Sequence, residues 1–78
     1  MNYDLAIMAL EGIARSPLSV SASNEEVTIE ASAATFKELA RLCLLLGGTQ
    51  SPEDAFDLEP GTHVSTGSAM LRLRLRDL

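Results

Sequence analysis

Apolar and polar positions alternate along this chain with two different periods, and the switches between them divide it into six elements. From Asn2 to Arg15 the period is helical. Tyr3, Ala6, Ile7, Leu10, Ile13 and Ala14 share one face, while Asp4, Glu11 and Arg15 share the other. Asn2 is placed to cap this helix. Ser16-Pro17 ends it, because a residue before proline avoids the α region. Gly12 inside it costs about 1 kcal/mol relative to alanine. From Leu18 to Ala31 the period is two. Leu18, Val20 and Ala22 alternate with serines. After Asn24-Glu25, Val27, Ile29 and Ala31 alternate with Glu26, Thr28 and Glu30. That pattern predicts a hairpin with one wet face.

Ser32 is a natural cap for the main helix, which should run to about Leu46 and stop at Gly47-Gly48. Its core stripe reads Phe36, Leu39, Ala40, Cys43 and Leu46. Leu42, Leu44 and Leu45 are surplus to that stripe, and Leu45 lies nearly opposite its centre. A loop from Thr49 to Asp54 follows. Phe56 and Leu58 then alternate with Asp57 and Glu59 in a short strand that Pro60-Gly61 breaks. Thr62 to Ser68 reads as a small polar loop. In the last strand Leu71, Leu73 and Leu75 alternate with Met70, Arg72, Arg74 and Arg76.

The predicted fold is therefore α+β, in the order α-β-β-α-β-β. Its four strands are expected to form one antiparallel sheet in spatial order 1-2-4-3, covered on one face by helix. The helix stripe should pack on Val20, Val27, Ile29, Phe56, Leu58, Leu71 and Leu73. With 78 residues, a single domain spanning residues 1–78 is expected.

Charge narrows the range of partners. The formal net charge is −5, which disfavours nucleic acid and anionic membranes, since both are gripped by basic patches. A basic protein partner suits it better. The single cysteine, Cys43, allows no internal disulfide, and no targeting signal or span-length apolar run opens the chain. A cytoplasmic setting is expected.

Catalytic and metal chemistry find little footing. His63 has no second histidine or cysteine near it in sequence, and Cys43 falls on the stripe expected to be buried. No cofactor, metal or catalytic residue is assigned, and the chain is not expected to be an enzyme. The densest acidic cluster is Glu53, Asp54, Asp57 and Glu59. Without the spacing of a calcium loop, these acids are the candidate contacts for a protein partner. Arg72, Arg74 and Arg76 should pair across strands with Glu26, Glu30, Asp57 and Glu59.

A resemblance adds a class to that partner. Its residues are the strand Val27-Thr28-Ile29-Glu30-Ala31-Ser32 and the helix segment Phe36-Lys37-Glu38-Leu39-Ala40-Arg41-Leu42. The Leu58-Glu59-Pro60-Gly61 step and the run Gly67-Ser68-Ala69-Met70-Leu71-Arg72-Leu73 complete it. Over residues 27–75 the chain resembles small immunity proteins of bacterial polymorphic toxin systems. It departs from them before the Leu-x-Pro step, where it reads Ala55-Phe56-Asp57-Leu58 without the family's histidines. The resemblance implies a protein that binds and neutralises a cognate toxin, for which a basic toxin domain would be the partner. The alternative is a structural or assembly module that forms a homodimer or docks on a larger complex. It would use an apolar contact at Leu44 and Leu45, with Leu5 beside them.

Overall fold

The computed structural model describes residues 1–49 and 54–76. The elements follow the predicted order: α1 (Tyr3–Arg15), β1 (Ser19–Ala22), β2 (Val27–Glu30), α2 (Ala33–Gly48), β3 (Ala55–Leu58) and β4 (Leu71–Arg74). Both caps form as read. The Asn2 side chain accepts from the Leu5 amide at 3.1 Å, and Ser32 Oγ accepts from the Thr35 amide at 3.2 Å. The stop of α2 lies later than expected. Gly47 and Gly48 stay helical at negative φ, and the Thr49 amide closes the last turn on the Leu46 carbonyl.

The single four-stranded sheet is not formed. The class is α+β, but β1 pairs only with β2, and β3 only with β4, in two separate antiparallel sheets. The antiparallel registers place Val20 opposite Ile29, Phe56 opposite Leu73 and Leu58 opposite Leu71. The second edge of β1 is taken by the connection between β3 and β4. The Leu18 amide donates to the His63 carbonyl, the Ser65 amide donates to the Leu18 carbonyl, and the Val20 amide donates to Ser68 Oγ. Backbone groups satisfied in this way have no need of β4.

That connection is held in a tight turn. The Glu59 carbonyl accepts from the amides of Thr62, His63 and Val64, while Gly61 donates back to the Val64 carbonyl at 2.7 Å. Gly61 sits at φ +86°, a conformation that favours glycine. The turn drives Val64 into the core, where it is fully buried with Leu18 and Leu58. A segment read as polar and solvated thus joins the two hairpins.

Both helices are rotated relative to the expected stripes. On α1 the buried residues are Ala6, Ala9 and Ile13, and on α2 they are Thr35, Leu42 and Leu46. Leu42, expected to be surplus, is completely buried. Phe36 and Cys43, expected in the core, are exposed, as are Ala40 and Val27. The cause is the close approach of the two helices. A Cβ at Gly12 would lie 2.9 Å from Glu38 Cγ. Thr35 Oγ1 donates to the Ser16 carbonyl at 2.5 Å, pinning the end of α1 to the start of α2. Gly12 and Thr35 lie at that contact, and the bulky residues buried on the two helices are Ile13, Leu42 and Leu46. Among the described residues no helix is long and apolar enough to cross a membrane.

Candidate binding groove

Two of the four acids, Asp54 and Asp57, have partners within the chain. Asp57 faces Arg72 across the β3–β4 register, and the guanidinium grips both its oxygens, Nε to Oδ1 at 2.7 Å and Nη2 to Oδ2 at 3.2 Å. This hydrogen bonding, with the attraction of the Arg72 charge, outweighs slight desolvation. It holds the Asp57 carboxyl below the usual aspartate range and raises the Arg72 pKa. Asp54 accepts from Tyr3 Oη at 3.3 Å and from Thr49 Oγ1 at 2.6 Å, so it ties α1 to the chain after α2. Glu59 is exposed, and Glu53 lies outside the described residues. The expected pairing of the arginines with Glu26 and Glu30 fails because β4 is not beside β2.

The Asp57–Arg72 pair has a testable pH signature. A lowered folded-state pKa means that the pair adds stability above the unfolded-state value and loses it as pH falls through the folded value. Both side chains are about half exposed, so the effect on stability is small. The expected result is an Asp57 carboxyl whose NMR titration midpoint is lower than that of an unpaired aspartate. Arg72→Gln should return the midpoint to the ordinary range. An unmoved midpoint would mean that the pair does not persist in solution.

His63 is a local structural group. Its Nδ1 lies 3.4 Å from the Glu59 amide, which donates to it. Among the described residues no three His, Cys, Asp or Glu side chains converge as metal ligands would.

The apolar candidates come together in one place. Leu44 and Leu45 from α2 meet Leu5, Met8 and Ala9 from α1 in an open groove of about 580 Å³ between the two helices. Leu44 is 76% exposed, Met8 62% and Leu5 50%, while Leu45 is half-buried at the floor. One end of the groove is charged. Arg15, Arg41 and Glu38 line it, with Glu38 and Arg41 paired one turn apart on α2. Arg15 makes no ion pair among the described residues. Met8 went unnoticed in the sequence because it fell off the expected stripe, yet it lies one turn after Leu5 and was legible as its neighbour. Methionine is the residue that adapts most readily to an incoming apolar surface.

The chain matches no known protein family, no curated protein and no solved structure.

Proposed function

We propose that this protein is a non-catalytic assembly or binding module that engages a protein partner through the groove between α1 and α2. The observation that supports this reading is the contiguous exposure of Leu5, Met8 and Leu44 on two packed helices. Apolar surface left in water is unfavourable by about 25 cal/mol per Å², and grooves between helices are a recurrent seat for partner surfaces. An exposed lone cysteine, Cys43, suits a reducing, cytoplasmic setting. Neutralisation of a toxin is the narrower form of this proposal, supported by the resemblance over residues 27–75. Any acidic contribution to it falls chiefly to Glu59, since Asp54 and Asp57 are engaged within the chain.

Site-specific photo-crosslinking in cells tests the groove. A photoreactive residue replacing Leu44 should give a discrete protein adduct, whereas one replacing Asn24 on the β1–β2 turn should give none. An adduct at Glu59 and none at Leu44 would move the binding surface to the acidic hairpin. No adduct at either position would overturn the proposal.

A further inference from the structure

We infer that copies of this chain associate head to tail, the open edge of β2 in one copy pairing antiparallel with the open edge of β4 in the next. This contact uses none of the groove residues and stands apart from the reading proposed above. Its basis is the backbone. β2 bonds only to β1, and β4 only to β3. The Val20 amide donates away from β2, to Ser68 Oγ, while the Ser23 amide donates to the Glu26 carbonyl. Inward and outward groups alternate along an antiparallel pair. Ile29 lies opposite Val20 and Val27 opposite Ala22, so the amides and carbonyls of Val27 and Ile29 point away from β1. They find no partner among the described residues. The Val27 side chain is 66% exposed.

Charge selects the occupant. Residues 16–32 carry Glu25, Glu26 and Glu30 and no base, whereas residues 69–76 carry Arg72, Arg74 and Arg76 and no acid. Glu26, Glu30, Arg74 and Arg76 are exposed and make no ion pair among the described residues. Charged side chains on an open edge ordinarily prevent pairing with another chain. Here they prevent β2 from pairing with β2, and β4 with β4, because like charges would face each other. They favour β2 on β4. With Ile29 of one copy opposite Leu73 of the next, Glu30 falls opposite Arg72 and Glu26 opposite Arg76, and Arg74 lies diagonal to both glutamates. Val27 then falls opposite Leu75, so the apolar face continues across the junction. The paired stretch ends at Glu26, short of the turn at Asn24. β3 offers no rival edge, since Phe56 and Leu58 are already buried and Asp57 is held by Arg72. A contact between two different edges leaves one of each kind free, so association continues into rings or open chains.

Analytical ultracentrifugation from micromolar to millimolar concentration, joined to amide hydrogen exchange, tests this. The wild type should exceed twice the chain mass at the highest concentrations, and exchange at Val27 and Ile29 should slow as the mass rises. Glu26→Lys with Glu30→Lys should weaken association by roughly tenfold or more, as should Arg74→Glu with Arg76→Glu. Circular dichroism should be unchanged, because all four side chains are exposed. An equimolar mixture of the two variants should associate as the wild type does, since each offers the edge that the other lacks. Both variants keep a net negative charge, so overall attraction cannot produce that recovery. A wild type monomeric throughout would overturn the inference, as would a mixture no more associated than its parts or exchange at Val27 and Ile29 that ignores concentration. Association that survives both charge reversals and is lost on Leu44→Glu would overturn it too, and would place the contact in the groove.

Discussion

Leu42→Ala should lower the free energy of unfolding by about 2–5 kcal/mol, whereas Leu44→Ala, two residues along the same helix, should change it by less than about 0.5 kcal/mol. Leu42 is completely buried in the cluster that holds Ile13, Leu18, Leu46 and Leu58, while Leu44 projects into solvent. Removing three carbons from the first leaves a cavity whose walls relax only in part. Removing them from the second merely takes away exposed surface. A domain of this size has a total stability of about 4–12 kcal/mol, so the Leu42 variant should lose a large share of it. Urea unfolding followed by circular dichroism reads the difference directly. Equal midpoints for the two variants would mean that the buried face of α2 is not the one centred on Leu42, and that the stripe through Phe36 and Cys43 has the better claim.

That contrast marks where the sequence was readable. The caps at Asn2 and Ser32 and the period-two runs are local signals, and each element they predict is present. The rotation of the helices is not a local property. Phe36 and Ile7 look like core because they are large. The space between α1 and α2 selects Ala9, Gly12 and Thr35 because they are small, and no count of apolar residues reveals that preference. The sheet failed for a related reason. Alternation decides which side chains share a face, not which strand edges meet, and the edge of β1 was taken by backbone from a loop. At the site, Leu44 and Leu45 were legible as apolar residues in excess of one stripe. Density of acids in sequence does not show which of them have partners within the chain. Arg72 is Asp57's cross-strand neighbour, and Tyr3 reaches Asp54 from the other end of the chain.

Val64→Asp should abolish cooperative folding at neutral pH, while Thr66→Asp, two residues further along the same connection, should be nearly neutral. Val64 is completely buried, bridged to both Leu18 and Pro60, and its backbone closes the turn that starts at Glu59. Thr66 is exposed. A carboxylate at position 64 would sit in the aliphatic cluster that holds Leu18 and Leu58, at a cost of several kcal/mol, comparable to the whole stability of a small domain. The cost also falls on architecture. The segment carrying Val64 occupies the free edge of β1 and links one hairpin to the other, so displacing it exposes the backbone of β1 together with the core. Desolvation raises the pKa of a buried carboxyl. The folded form should therefore be partly recovered as pH is lowered and the acid is neutralised, and Val64→Asn should be less damaging than Val64→Asp at neutral pH. Amide NMR dispersion and thermal melts of the three variants measure this. If Val64→Asp melts as cooperatively as Thr66→Asp, residues 59–68 are a solvated loop after all, and the edge of β1 is open to another strand.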